Sequence, residues 1–282
     1  MVKRPKIDDI SLYRRKGQYI LMDEEVIHRQ IDHAELTKNE TVLEIGPGLG
    51  ALTFKLAQRA GKVVAIEKDS RMFSYLKARI PANVELVNAD VLEMDPSRFD
   101  VVVSNLPYQI SSPVTFWLLN HSFNRAILMF QKEFAQRMVA KCGEKSYSRL
   151  SVNVYYKAES EILEFVAREA FYPVPEVDSA IVKLVPRKAP FSVISEETFF
   201  KVVDSLFGQR RKKIKNSLMN LVTQELRNCG IYTKSSQKEI IQGLPFLDER
   251  VEKLSPERIG ILADNLDLSI SRLGGSSGQD IN

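Results

Sequence analysis

Cysteine and histidine are scarce in this chain, which has 2 cysteines and 3 histidines among 282 residues. Cys142 and Cys229 are far apart and form no metal-type pair, which argues against a disulfide scaffold and against a zinc-finger module. The histidines form no ligand cluster, so we expect no metal site. This cysteine content fits a reducing, cytoplasmic compartment.

Long hydrophobic runs are also missing, and no stretch approaches the length that crosses a bilayer. The first nine residues are charged and lack an apolar core, so we expect neither a secretory signal nor a membrane partner. A hydrophobic content of 44% and a charged content of 27% are typical of a soluble globular protein. The length suffices for one large domain and a small one, and we expect a monomer.

A glycine-rich loop follows the first strongly apolar segment. The run Thr41–Ile45 leads into Gly46-Pro47-Gly48-Leu49-Gly50, and a helix-like stretch comes next. This pattern predicts the strand, turn and helix that open a nucleotide-binding α/β fold, because a Cβ in the turn would keep a nucleoside from the backbone. Glu67, after the second strand, can accept from both ribose hydroxyls. These features fit a dehydrogenase and a methyltransferase equally well.

Alternating strands and helices continue along the first two thirds of the chain. The predicted strands are 41–45, 62–66, 84–88, 100–104 and 126–130, followed without a long helix by candidate strands 150–156, 162–166 and 179–185. This pattern predicts a mixed sheet with an antiparallel edge. Only helical periodicity follows residue 188. We therefore expect a first domain over 1–187, a small all-helical domain over 188–270 and a disordered tail over 271–282.

Two later features favour a methyltransferase. Asp90, after the third strand, is placed to accept from an adenine amine. Asn105-Leu106-Pro107-Tyr108 follows the fourth strand, at the sheet edge where ligands gather. The Asn105 side-chain oxygen and the Leu106 carbonyl could hold an exocyclic amine while Pro107 fixes the turn, and a planar base can stack on Tyr108. Such catalysis would consist of positioning and electrostatics.

Basic residues are concentrated in two segments. One is Arg14, Arg15 and Lys16, and the other contains Arg210, Arg211, Lys212 and Lys213 with no anion between Gly208 and Ser217. Two such clusters indicate a polyanionic partner. If a helix begins at Gln209, its first turn has the wrong charge for the helix dipole unless phosphates lie nearby.

These motifs together resemble the KsgA-type small-subunit ribosomal RNA adenine dimethyltransferases, from about Lys16 to Leu218. The matching motifs are Gly17-Gln18 with Leu21, Glu44-Ile45-Gly46-Pro47-Gly48, Glu67, Asp90, Asn105-Leu106-Pro107-Tyr108-Gln109-Ile110-Ser111-Ser112-Pro113, Gln131-Lys132-Glu133, Arg149-Leu150-Ser151-Val152, Phe171 with Pro173, Pro175, Val177 and Ser179, and Gln209-Arg210-Arg211-Lys212. The family usually has Asn or His and then Phe where Tyr19 and Ile20 stand here.

The resemblance implies a Rossmann-like class I methyltransferase domain with a seven-stranded mixed sheet, followed by a small helical domain. It implies S-adenosyl-L-methionine as the methyl donor and N6 of two adjacent adenosines, in the 3'-terminal hairpin of small-subunit RNA or its precursor particle, as the target. Donor-binding residues would be Tyr19, Leu21, Gly46, Gly48, Glu67, Asp90 and Asn105. Catalytic residues would be Asn105, Leu106, Pro107, Tyr108 and Phe171, and RNA-binding residues would be Arg14, Arg15, Lys16, Arg210, Arg211, Lys212 and Lys213.

Three alternatives stay open at this stage. A methyltransferase of the same fold could act on large-subunit RNA and give antibiotic resistance. A catalytically silent assembly factor could keep the fold, although an intact Asn105-to-Tyr108 motif argues against it. A dehydrogenase is the most distant alternative.

Overall fold

The computed structural model describes residues 19–96 and 98–276, in which the chain forms nine strands and ten helices. The strands are β1 (Ile20–Leu21), β2 (Thr41–Ile45), β3 (Lys62–Ile66), β4 (Val84–Val87), β5 (Val101–Asn105), β6 (Arg125–Gln131), β7 (Ala158–Val166), β8 (Phe171–Tyr172) and β9 (Ser179–Pro186). The helices are α1 (Glu24–His33), α2 (Thr53–Arg59), α3 (Ser70–Lys77), α4 (Ser111–Leu118), α5 (Lys132–Val139), α6 (Arg149–Lys157), α7 (Glu196–Gly208), α8 (Ile214–Asn228), α9 (Lys234–Gly243) and α10 (Pro256–Ser276). None of the helices in this described part has the length and apolarity of a membrane span.

A seven-stranded mixed sheet forms the centre of the first part of the chain, which confirms the predicted α/β fold. Its strand order is β4-β3-β2-β5-β6-β9-β7, with β2 to β6 parallel and with β9 antiparallel to both β6 and β7. The run Val101–Val103 in β5 is fully buried, as expected for a strand covered on both faces. Strand order reverses between β2 and β5, and ligands bind at the carboxyl edge of such a switch point.

A separate two-stranded ribbon joins β1 to β8. Ile20 pairs with Tyr172 and Leu21 with Phe171 in antiparallel register. The next residue, Met22, donates its backbone N–H to the Ala170 carbonyl over 2.7 Å. Helix α1 then begins after Asp23, which is its N-cap, because the Asp23 side chain accepts the N–H groups of Glu25 and Val26.

The chain folds into two compact units. The first contains the described residues up to Gln136 together with Ala158–Arg187. The second contains Arg137–Lys157 and the described residues from Lys188 onward, and its core includes Tyr156 and Phe199, whose rings lie 4.8 Å apart. The chain therefore enters the second unit twice, whereas the predicted first domain was an uninterrupted stretch.

The segment predicted as a strand over 150–156 is the helix α6, and that prediction was wrong. Its apolar residues alternate in the sequence, which indicated a strand. In the structure Ser151 and Asn153, between those apolar residues, are buried as well. A helix that is buried nearly all round has no polar face to reveal its period, so alternation there does not distinguish it from a strand.

Two expectations about the second unit also need correction. The residues Gln209–Lys213 begin no helix: α7 ends at Gly208 and α8 begins at Ile214, so the basic segment is the connection between them. The tail expected to be disordered from 271 is helical as far as Ser276, because α10 continues and Leu273 packs against the core of this unit. Residues 277–282 lie outside the described part.

Candidate active site

The glycine loop has the backbone that its sequence requires. Gly46, Gly48 and Gly50 have φ values of +71°, +58° and +88°, a region that other residues rarely adopt. The Gly46 N–H donates to the Ile66 carbonyl at the end of β3 over 2.8 Å. A Cβ on Gly46 would lie 3.3 Å from Pro107 Cδ, so the missing side chain lets the glycine loop approach the loop after β5.

A cavity of about 450 Å³ lies where the glycine loop meets the carboxyl ends of β3 and β5. Nine of the predicted site residues line it: Tyr19, Gly46, Gly48, Glu67, Asn105, Leu106, Pro107, Tyr108 and Phe171. Residues from five separate segments of the sequence therefore meet around one space. The space has both an apolar part and a small number of polar groups, which is the usual character of a small-molecule site.

Glu67 supplies a carboxylate at the rim of the glycine loop. One oxygen accepts the N–H of Asp69 over 2.8 Å, and the other accepts the N–H of Gly48 over 3.1 Å. Burial raises the pKa of Glu67, and these two backbone donors act in the opposite direction. The hydrogen bonds fix the side chain, and a carboxylate offers about four acceptor positions, so Glu67 can still accept from a ligand hydroxyl.

Asp90 reaches the cavity only indirectly. One of its oxygens accepts from Lys68 Nζ over 2.5 Å, and the other caps a short 3-10 helix through the N–H of Leu92. Lys68 itself lines the cavity, and it holds the pKa of the Asp90 carboxyl below its usual range. The predicted base-edge acceptor is therefore ionised and occupied by a neighbouring ammonium group.

Asn105 ends β5 with an unsatisfied acceptor. Its side-chain oxygen is buried and has no hydrogen-bond partner in the described part of the chain. Buried polar atoms are nearly always bonded, and leaving one unbonded costs about 1–3 kcal/mol. Because Asn105 also lines the cavity, the arrangement suits a ligand that brings an N–H donor.

Tyr108 presents an aromatic ring to the same cavity. Its hydroxyl shares a hydrogen bond of 2.7 Å with Ser179 Oγ on β9, which anchors the far end of the ring. Burial raises the pKa of the Tyr108 phenol, so the group stays neutral at physiological pH. The Tyr19 ring lies against it, with centroids 5.3 Å apart and planes inclined by 32°.

Comparison with known proteins identifies the family. Residues 11–245 match the family described as ribosomal RNA adenine dimethylase. The chain belongs to this family. It is 45% identical over 265 residues to a protein named "Probable ribosomal RNA small subunit methyltransferase A" from Methanosarcina acetivorans, covering 91% of this chain and 96% of that protein. A protein of the same name from Thermococcus sibiricus is 46% identical over 258 residues, covering 89% and 92% of the two chains.

Two solved structures share both the fold and part of the sequence. A dimethyladenosine transferase from Plasmodium falciparum matches with a TM-score of 0.75 and 31% identity over 90% of this chain and 98% of its own. The 23S rRNA methyltransferase ErmE matches with a TM-score of 0.62 and 31% identity over 88% of this chain and 99% of its own. The predicted resemblance and the methyltransferase fold are confirmed.

Some residues of the family motifs lie away from the cavity lining. Leu21 is buried in the core, where it pairs with Phe171 instead of facing the cavity. Arg14, Arg15 and Lys16 lie outside the described residues. Conversely, no sequence pattern indicated Met129, which lines the cavity because β6 pairs it with Asn105. Only the strand register, which is a long-range property, places Met129 there.

The basic loop between α7 and α8 lines a cleft of about 780 Å³ in the second unit. The Arg210 guanidinium donates hydrogen bonds to the carbonyls of Glu144 and Lys145, so it stabilises the basic loop. Arg211 and Lys212 are exposed and form no ion pair with any described residue. Lys213 is paired with Asp248 over 3.1 Å, so its charge is partly neutralised.

Proposed function

We propose that this protein transfers methyl groups from S-adenosyl-L-methionine to N6 of two adjacent adenosines in the 3'-terminal hairpin of small-subunit ribosomal RNA, giving N6,N6-dimethyladenosine in a small-subunit precursor. The observation that carries this proposal is the buried side-chain oxygen of Asn105, to which no described residue donates a hydrogen bond. An exocyclic amine supplies the N–H donor that this acceptor lacks.

The residues around the glycine loop fit the donor. Gly46 and Gly48 leave the backbone open to a nucleoside, and the Glu67 carboxylate can accept ribose hydroxyls beside them. Lys68 would have to release Asp90 for that carboxylate to accept from an adenine amine. When bound, the donor supplies an electrophilic methyl group carried on a sulfonium sulfur.

The loop after β5 fits the target base. Asn105 would accept one N–H of the amine, which favours a more tetrahedral nitrogen with its lone pair available. Tyr108, held by Ser179, would stack on the purine, a contact that is worth about 1–3 kcal/mol per base in single-strand binders. These residues act by positioning, because neither an amide nor a neutral phenol takes up the departing proton at physiological pH.

An adenosine that leaves its base stack to enter the cavity requires protein contacts with the surrounding RNA. The basic loop between α7 and α8 can supply these contacts. Arg211 and Lys212 are exposed at a cleft and form no ion pair within residues 19–96 and 98–276, so their charges are available for phosphate contacts. The 45% identical relative from Methanosarcina acetivorans is named for the small subunit, whereas the 31% identical ErmE is named for 23S rRNA. The higher identity favours the small subunit.

The test incubates under-methylated small subunits with isotopically labelled donor and maps the labelled nucleotides by mass spectrometry. We expect two adjacent dimethyladenosines near the 3' end of the RNA. Asn105→Ala should lower the rate by more than tenfold, and Asn120→Ala, an exposed amide after α4, should not. Label in large-subunit RNA would favour the resistance-type activity, and no label in either would favour an assembly factor.

A further inference from the structure

The ribbon of β1 and β8 brings two aromatic rings, those of Tyr19 and Phe171, to the cavity. Leu21 pairs directly with Phe171, and Tyr19 stands two residues before Leu21. Tyr19 immediately precedes β1 and Phe171 begins β8, so the ribbon brings both residues to the cavity that they line. There the Tyr19 ring contacts the Tyr108 ring.

The contact between Tyr19 and Tyr108 leaves no room for a base. Their ring centroids are 5.3 Å apart, at an inclination of 32°. A purine between two rings needs a separation of about 7 Å, since each stacked contact takes about 3.5 Å. An adenine that stacks on this face of Tyr108 must therefore displace the Tyr19 ring.

We infer that Tyr19 is an aromatic plug that covers the stacking face of Tyr108 until a target adenine displaces it. This inference rests on the proposed function, since it takes Tyr108 as the stacking residue for the target. In the empty site, Tyr19 shields the Tyr108 ring from water. In the RNA complex, the base takes over that contact and Tyr19 moves out of the stack.

The effect of removing the Tyr19 ring on RNA and donor binding distinguishes the plug from two other roles for Tyr19, a donor contact and a second stacking partner. A plug competes with the base, so its removal strengthens RNA binding. A donor contact, which the family resemblance implies, would weaken donor binding when it is removed. A second stacking partner for the base would weaken RNA binding when it is removed.

The experiment compares Tyr19→Ala, Tyr19→Leu and Tyr19→Phe with the wild type. A small-subunit RNA hairpin with 2-aminopurine at one target position reports base extrusion by fluorescence, in the presence of S-adenosylhomocysteine. Titration calorimetry measures the affinity for S-adenosylhomocysteine, and steady-state methylation of the unmodified hairpin gives KM and kcat. Tyr172→Ala is the matched control, because it removes a tyrosine ring from the neighbouring position of the ribbon that does not line the cavity.

We expect Tyr19→Ala and Tyr19→Leu to bind the RNA about threefold to tenfold more tightly, the range that the loss of one aromatic pair allows. KM for RNA should fall by a similar factor, with kcat and the affinity for S-adenosylhomocysteine unchanged. Tyr19→Phe keeps the ring and should match the wild type, as should Tyr172→Ala.

Unchanged or weaker RNA binding by Tyr19→Ala and Tyr19→Leu would overturn the plug, and so would a tenfold loss of affinity for S-adenosylhomocysteine. The leucine variant keeps apolar bulk at the position and serves if the alanine variant folds poorly. Failure of the proposed function is distinguishable, because the wild-type protein would then leave the unmodified hairpin unmethylated.

Discussion

Glu44 should make the stability of the first unit depend on pH. This carboxyl lies on β2, just before the glycine loop, and is only 2% exposed. Burial, opposed by a contact with Thr53 and reinforced by the neighbouring Glu67 carboxylate, raises the pKa of Glu44 from 4.5 to about 8. Glu44 is therefore protonated in the folded protein at neutral pH and ionised in the unfolded chain.

The sign and size of the effect follow from proton linkage. Between pH 4.5 and about 8, the folded state binds one more proton than the unfolded state, so the free energy of unfolding falls as pH rises. Each pH unit within this range contributes about 1.4 kcal/mol. From pH 5.5 to pH 7.5, Glu44 should therefore cost the wild-type protein roughly 3 kcal/mol relative to Glu44→Gln, whose side chain does not titrate.

Urea unfolding at a series of pH values tests this prediction. The single tryptophan of the chain, Trp117, lies in α4 of the first unit and reports the unfolding of that unit by fluorescence. The stability of Glu44→Gln relative to wild type should rise steadily from pH 5.5 to 7.5. Glu85→Gln, at an exposed position of β4 two strands away in the same sheet, controls for the loss of a negative charge. A difference between Glu44→Gln and wild type that does not change with pH would refute the reasoning.

Three further predictions concern the loops of the two units. Gly50→Ala should destabilise the first unit by about 2–5 kcal/mol in urea unfolding, since φ is +88° and the new Cβ would lie 2.6 Å from Leu76 Cδ2. Gly48→Ala should cost only about 1–2 kcal/mol, because a Cβ there would have no atom within 4 Å in the described part of the chain. Tyr108→Phe and Ser179→Ala should each slow methylation about fivefold and the double variant no further, because both remove one hydrogen bond; additive losses would contradict this. Replacing both Arg211 and Lys212 with alanine should weaken RNA binding and leave donor affinity unchanged. It should also lower the slope of log affinity against log salt concentration by about 1.5. Lys213→Ala should have a smaller effect on RNA binding because Asp248 already pairs with Lys213, and equal effects would contradict this difference.

The sequence predicted the first unit well where local pattern and topology agree. Buried apolar runs such as Val101–Val103 identify parallel strands, and such strands bring the residues that follow them to one edge of the sheet. Glu67 and Asn105 could therefore be placed at one site from sequence order alone. The glycines of the first loop were predictable for a similar reason, since the close approach of Pro107 and the positive φ values leave few other choices.

Features that depend on long-range pairing were not predictable in this way. The ribbon between Leu21 and Phe171 joins segments far apart in the sequence, and it explains why Leu21 faces the core. The register of β5 and β6 likewise determines that Met129 lies beside Asn105. Helix α6 was mistaken for a strand because the second unit buries it nearly all round, which removes the polar face that reveals a helical period.

The loop after β5 contains one feature that stability alone would not favour and one that it would. The Asn105 oxygen, which no described residue bonds, costs free energy because a buried acceptor has lost its water and gained no donor. The Tyr108 ring in the same loop contacts the Tyr19 ring, which removes apolar surface from water. Under the proposed function, one extruded adenine would bond this oxygen through its amine and would replace the Tyr19 phenol on the Tyr108 ring. On the same proposal, this acceptor favours a base that supplies an exocyclic N–H and disfavours uracil, which has no exocyclic amine and would leave the buried oxygen without a donor.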